Sequence, residues 1–382
     1  MGVEMELHLV DPSTGELASL SNTVLDEMGA GHRDGLHPKA KHELFQSTVE
    51  VITDVCNDPD EVRADLLGTL HELRSTLEPH GATLMSSATH PFALAEHQVV
   101  SPDPRYRQLI DTMQWPARRL LICGMHVHVG VPDGQRAITV INEVIRHLPL
   151  FLALSSSSPF FEGVDSGMSS ARSLVFESLP TAGLPPRISE WGEFEAFMDT
   201  LIETGCIDTV REVWWDVRPH PGFGTVELRM CDAMPTLHET VAVAGLAQTL
   251  VAWCLERIAD GTLPDPPTEW SVKQNRWLAA RHGLAAHLIV EHPPASGPVA
   301  VRSAGRRAER RPAVELVHDL VATLRPTAER LGTDAQLDHV LDMTAVGSGA
   351  DRQRRVVEQG GTLLDVVRHL IDEFGHDRPI AR

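Results

Sequence analysis

The sequence predicts an α+β fold, in which one antiparallel sheet packs its apolar face on helices and uses its polar face as a site. Three stretches carry that expectation. Residues 2–7 read GVEMEL, residues 123–131 read CGMHVHVGV and residues 225–230 read TVELRM. Side chains alternate faces along a strand. Glu4 and Glu6 therefore share a side, as do His126 and His128, and Glu227 and Arg229. Val3, Met5, Leu7, Met125, Val127, Val129, Val226, Leu228 and Met230 take the opposite faces. Any one such pair is what a half-exposed strand shows, but three in one chain point to a common polar face. Carboxylates and imidazoles without lysines are ligands for a divalent cation, and a carboxylate-rich set suits Mg²⁺ or Mn²⁺ better than zinc.

The remaining elements follow from turn and helix signals. Residues 32–42 are basic and His-rich, a solvated loop or a lip over an anionic substrate. In KHELFQSTVEVITDVC, residues 41–56, a strand is expected from about Ser47. Glu43 and Glu50 are seven apart and would face opposite ways in an unbroken strand, so the chain must bend between them if both serve the site. Asp58 and Pro59 open a helix with Val62, Leu66, Leu70, Leu73 and Leu77 as its buried stripe. Residues 82–88 read as a strand and SPDPRYR, 101–107, as a loop. One helix is expected over about 134–154, then a Ser- and Gly-rich loop that adds little to a core and holds a single cation, Arg172. Residues 213–217 and 225–230 form a hairpin around Pro219, Pro221, Gly222 and Gly224. Helices are expected over 190–205 and 236–259. Beyond Pro264 the chain reads as helical, with Val317, Leu320, Val321, Leu324, Leu363, Leu364, Val367, Leu370 and Ile371 as apolar stripes, and the basic run 302–311 as an exposed linker.

The 382 residues, 42% of them hydrophobic, suffice for one large domain (1–382) with a mainly helical part from about residue 264. A formal charge of −20 opposes binding to nucleic acid or an anionic membrane, so a phosphate-bearing substrate would need metal ions to mediate. Five cysteines without a CxxC spacing predict reduced thiols, and with no leader pattern at the start the expected location is the cytoplasm.

GVEMEL, the Glu43-to-Glu50 spacing, THPF at 89–92, RY at 105–106, GMHVHVG at 124–130, LALSSSSPF at 152–160, SSAR at 169–172, DVRPHPGFGTVELR at 216–229 and QNR at 274–276 occur in one order and spacing. Through them the chain resembles the glutamate–cysteine ligase type 2 family of carboxylate–amine ligases, in the glutamine synthetase-like superfamily. The resemblance implies a curved antiparallel sheet forming a funnel flanked by helices, with ATP at one end and Mg²⁺ or Mn²⁺ between its phosphates and the sheet. It implies Glu4, Glu6, Glu43, Glu50, His126 and Glu227 as metal ligands, and His128 with Arg229 on the nucleotide side. Arg172, Arg218 and Arg229 would hold the acid substrate and the transferring phosphoryl group, with Arg105 and Tyr106 on the substrate side. It further implies small-molecule acid and amine substrates, glutamate and cysteine by default, joined through an acyl phosphate, and a homodimer. Pro104 stands where relatives often carry an acidic residue. The residues alone also admit a zinc hydrolase built on His126, His128 and the carboxylates, or a silent sensor of a nucleotide or amino acid. Glu227→Gln is expected to abolish turnover with little loss of fold, and Arg172→Ala to weaken use of the acid.

Overall fold

Strand β1 (Gly2–Val10) runs through the middle of a seven-stranded sheet in the computed structural model, which describes residues 1–292 and 307–380. The sheet also contains β2 (Ala40–His42), β3 (Thr48–Ile52), β4 (Thr83–Met85) and β5 (Gly124–Gly130). A separate small hairpin, β6 (Phe160–Phe161) with β7 (Val164–Asp165), precedes the last two sheet strands, β8 (Val217–His220) and β9 (Thr225–Asp232). Their order is β2-β3-β1-β5-β9-β8, with β4 also beside β1, and every pairing is antiparallel. The α+β expectation holds.

The period-two pattern sorts the faces as expected. Val3, Met5, Leu7, Val49, Val51, Met125, Val127, Val226 and Leu228 all lie in one buried cluster. Against that face pack α2 (Pro59–Leu77), α4 (Gly134–Val144), α5 (Leu148–Ser155) and α8 (Leu237–Asp260), while α1 (Ser21–Gly29) covers α2, and α6 (Ala171–Glu177) and α7 (Trp191–Glu203) lie between α5 and β8 in the chain. In α2 the Asp58 side chain accepts the Glu61 N–H at 2.9 Å, and Val62, Leu66, Leu70, Leu73 and Leu77 are all buried. Farther along come α9 (Glu269–His282), the hairpin β10 (His287–His292) and β11 (Arg307–Pro312), and α10 (Ala313–Leu331), α11 (Asp334–Val346), α12 (Gly349–Glu358) and α13 (Leu363–His376). Arg352 of α12 ties these late helices to α8 by pairing with Glu239 and Glu373, all three at most 1% exposed.

Several sequence expectations need correction. The loop expected over 101–107 gives way at Pro104 to a helix, α3 (Pro104–Met113). Asp103 accepts the Arg105 N–H at 2.7 Å, and Pro104 opens the first turn, where its missing N–H costs nothing. The expected helix over 134–154 is two, α4 and α5, bent by 66° at a break just before Pro149, whose ring cannot sit inside a continuous helix. The hairpin's first arm begins at Val217 and runs through Pro219, tolerated because β8 is an edge strand. Residues 32–42 are not simply a loop, since they end in β2, and Lys39 is paired with Asp54 and Asp65. Part of the basic run is β11, and the expected linker at 302–306 lies outside the described residues.

The largest correction concerns the serine-rich loop, whose two ends are core while residues 161–167 stay at the surface. Ser155, Ser156, Ser157 and Ser158 are fully buried. Asp232, at the end of β9, accepts hydrogen bonds from Ser157 N (3.0 Å), Ser158 Oγ (2.7 Å) and Ser170 Oγ (2.8 Å). Gln353 of α12 adds a bond to Ser157 O at 2.6 Å. A loop of small polar side chains can be buried when each finds a partner.

The THPF stretch provides a test of this packing. His90 donates Nε2–H to Gly15 O (2.8 Å), and its Nδ1 accepts the N–H groups of Ala93 (3.0 Å) and Phe92 (3.3 Å). Burial holds the imidazole down at about 4. The unfolded chain takes up this proton near 6.5. The contribution of neutral His90 is therefore complete above that pH and is lost as pH falls toward 4. In urea unfolding at pH 7 and pH 5, His90→Asn should show an acid-induced loss of stability smaller than that of the unsubstituted protein by about 2 kcal/mol.

Candidate active site

Sheet register assembles the polar face. Glu4 lies opposite His126, Glu6 opposite Glu50 and His128 opposite Glu227. His126 Nδ1 is 2.7 Å from Glu4 Oε2, and its Nε2 is 3.9 Å from Glu6. His128 Nε2 is 3.5 Å from Glu4 and 3.8 Å from Glu227. The chain turns between β2 and β3, so Glu43 joins Glu50 despite their odd spacing. Three sets of side chains place ligand atoms within 4.8 Å of one another: Glu6, Glu43 and Glu50; Glu4, Glu50 and His126; and Glu4, His128 and Glu227. Glu50 and Glu4 each belong to two sets, which makes the three one continuous row across the sheet.

At the β9 end of the row an irregularity aims the arginines. Met125 pairs with Cys231 but Val127 pairs with Leu228, so Arg229 and Met230 together face His126. Such a bulge redirects side chains. Arg229 Nη1 hydrogen-bonds Glu227 Oε1, and its buried Nε has no hydrogen-bond partner. Arg172 is 3% exposed and donates to the carbonyls of Arg229 and Met230, both at 3.3 Å, so it holds the bulge, while its buried Nε has no hydrogen-bond partner. A Cβ on Gly124 would stand 2.1 Å from Arg172 Nη2, so any larger residue there would displace the guanidinium. Arg218 Nε donates to Glu227 Oε2 at 2.7 Å, and its Nη1 donates to the carbonyls of Val210, Arg211 and Val213.

At the β2 end, Tyr106 is buried and donates its hydroxyl hydrogen to His42 O at 2.7 Å, while the exposed Arg105 lies over its ring and donates to its oxygen at 2.8 Å. Lys41 approaches Glu50 to 3.8 Å. The QNR stretch lies behind the sheet. Arg276 pairs with Asp216 and, at 2.7 Å, with Glu177, and Asn275 bonds both the N–H and C=O of Ile289. Asp216 O in turn receives the Arg229 N–H at 2.8 Å, so this network braces the strand that carries the arginine.

The electrostatics fit a cation. Burial pushes the Glu43 carboxyl well above its usual range, reinforced by Glu6 and Glu50. Burial and the neighbouring Glu4 raise Glu50 to about 8. Burial also opposes charge on Glu4 and Glu227. The imidazoles of His126 and His128 outweigh it at Glu4, and Arg229 and Arg218 at Glu227, so both stay well below the normal carboxylate range. The row thus joins carboxylates compensated by arginines and imidazoles to crowded ones that like charge and burial push the other way. His128 Nδ1 lies 3.0 Å from Thr225 Oγ1, and its buried Nε2 has no hydrogen-bond partner. Crowded carboxylate oxygens are a donor set for hard divalent cations, and the two imidazoles border it.

Residues 1–369 match the family model described as glutamate–cysteine ligase family 2. A Frankia alni chain named provisionally as glutamate–cysteine ligase 2-1 is 47% identical, over all of this chain and 96% of its own length. A similarly named glutamate–cysteine ligase 2 from Thermobifida fusca is 43% identical, over 99% of this chain and 92% of its own. Among solved structures, the glutamate–cysteine ligase of Francisella tularensis, in complex with AMP, aligns with a TM-score of 0.68 at 13% identity, covering 98% of this chain and 88% of that one.

The geometry reverses the sequence expectation that Glu227→Gln spares the fold. Glu227 is 1% exposed and neutralises two arginines, so losing its charge leaves buried cations uncompensated. Chemical denaturation should show a loss on the order of 3 kcal/mol. Glu50→Gln, at a carboxylate crowded by Glu4, Glu6 and Glu43, should leave stability in a chelator within about 1 kcal/mol of the unsubstituted protein.

Proposed function

The chain belongs to glutamate–cysteine ligase family 2, and on that footing we propose that it joins the side-chain carboxylate of glutamate to an amine, that of cysteine by default, with ATP as the activating substrate. The hydrolase reading drawn from His126 and His128 is set aside by the family, which is one of ligases. A carboxylate does not acylate an amine at neutral pH because its leaving group is poor. In the proposed reaction a carboxylate oxygen of the acid attacks the γ-phosphorus of ATP and ADP leaves. The amine nitrogen then attacks the acyl carbon, and phosphate departs with the oxygen it took from the acid. The acid and the phosphoryl group both carry negative charge, so the site must neutralise, align and keep out water.

The observation that carries this reading is the continuous row of Glu43, Glu6, Glu50, Glu4, His126, His128 and Glu227 with arginines at both ends. Glu4, Glu6, Glu43, Glu50, His126 and Glu227 would hold Mg²⁺ or Mn²⁺, which would supply positive charge for the phosphates of ATP. Arg229, with its free Nε, is assigned to the transferring phosphoryl group. Arg218 acts through Glu227, since its own donors are engaged inside the protein. Arg172 holds the bulge that aims Arg229, and its free Nε, on the face that Gly124 shares with His126 and His128, is assigned to the acid substrate. Arg105 and Tyr106 are assigned to the acid substrate at the other end of the row. His128 faces the nucleotide.

On the same reading the chain works as one catalytic domain in the cytoplasm, in keeping with five free cysteines, and as a homodimer. The test is phosphate release from ATP with Mg²⁺, in a grid of amino acids supplied singly and in pairs, with mass analysis of products. Release that needs both glutamate and an amine, with a condensed product, is expected. Release without any acid, or none in any well from folded protein, would contradict the proposal. Arg229→Lys keeps the charge but loses the planar fork, and should lower kcat at least 10-fold.

A further inference from the structure

The turn between β8 and β9 holds an aromatic feature that the metal and phosphoryl roles do not use. Phe223 is 65% exposed, beside a site otherwise built from charged groups. It does not hang loose. One face of its ring stacks on His220, with centroids 4.2 Å apart and planes 12° apart. The Phe223 and Gly224 N–H groups both bond His220 O, at 3.1 and 3.0 Å, which fixes the turn. Its ring also meets His128 edge to face at 5.6 Å, and His128 meets His220 in the same way at 5.5 Å. The three rings thus extend the ligand row outward: Glu4 and Glu227, then His128, then Phe223. Polarity falls along that line from anionic to aromatic.

We propose that the outer face of Phe223 is the platform on which the nucleobase of ATP stacks. A nucleoside triphosphate has the same gradient, with charged phosphates at one end and a flat aromatic base at the other. Phosphates over the carboxylate row and His128 put the base toward the β8–β9 turn, where one aromatic ring lies open and the opposite face is already held by His220. Stacking on a fixed ring contributes affinity without reading the base edge, because every base has a π-face. Phe223 is therefore a binding residue for the nucleoside and has no part in the chemistry. At the opposite end of the row the Tyr106 ring is buried beneath Arg105 and presents no open face to a base.

This inference rests on the ligase reading, and its test separates the two. Calorimetry with the full chain would compare Mg·ATP with Mg·tripolyphosphate, which carries the phosphates and lacks the base. The unsubstituted protein should bind both. Phe223→Ala should weaken Mg·ATP roughly 5- to 150-fold, the range for losing a stacking ring, and leave Mg·tripolyphosphate within about twofold. Phe223→Trp should restore ATP affinity, which a merely structural role for the turn would not require. Equal ATP affinity in the alanine variant would overturn the platform while leaving the ligase intact. So would parallel loss of both ligands, or failure of tryptophan to rescue. Binding of neither ligand by the unsubstituted protein would overturn the ligase reading itself.

Discussion

Like charges are crowded on one face of β1 and its neighbours, and much of the surrounding structure exists to hold them there. Glu4, Glu6, Glu43, Glu50 and Glu227 bring five carboxylates onto a surface where burial already disfavours charge. Left alone, such a group relieves itself by taking up protons or by moving apart. The sheet prevents the second, because register fixes Glu6 against Glu50 and Glu4 against His126 while the opposite side chains are locked in the core. Arginines and histidines compensate one end of the row and leave Glu43 and Glu50 with too little positive charge. That imbalance is the physical reason to expect cations there.

Support for the row comes from far away in sequence. Arg172 holds the two bulge carbonyls, Arg276 holds Asp216 beside Arg229, and Asp232 collects the buried serines at the end of β9. The late helices reinforce this layer through Gln353 and the Arg352 pairs. Each contact stiffens the backbone that carries the polar face. A ligase that must align three reactants gains from such stiffness, since small misplacements of a charged group lower its effect on a transferring phosphoryl group.

The central strands were legible because period two is a local signal. Glu4 with Glu6 and His126 with His128 could be paired from six or seven residues of text, and the bend needed to unite Glu43 with Glu50 followed from counting. What stayed hidden depends on partners distant in the chain. The burial of Ser155 to Ser158 needs Asp232, and nothing near a serine run announces that carboxylate. Arg172 stood out only as the one cation of its loop, and its burial could not be foreseen because its partners are carbonyls. The Asp103–Pro104 start of α3 repeats the Asp58–Pro59 signal that was used for α2, but α3 buries only Tyr106, so no apolar stripe accompanied it. Phe223 gave no signal at all, since the meaning of one aromatic in a turn lies in the rings that flank it.

The central claim is that this face activates a carboxylate by phosphoryl transfer, and isotope transfer tests it most directly. Glutamate labelled with ¹⁸O in its side-chain carboxylate would be turned over with ATP, Mg²⁺ and the amine identified as substrate, and the inorganic phosphate analysed by mass. One labelled oxygen in each phosphate released, with the remainder in the amide product, is the predicted result. Unlabelled phosphate from a reaction that still forms the amide would contradict the acyl-phosphate account and the roles assigned here to Arg229 and the carboxylate row.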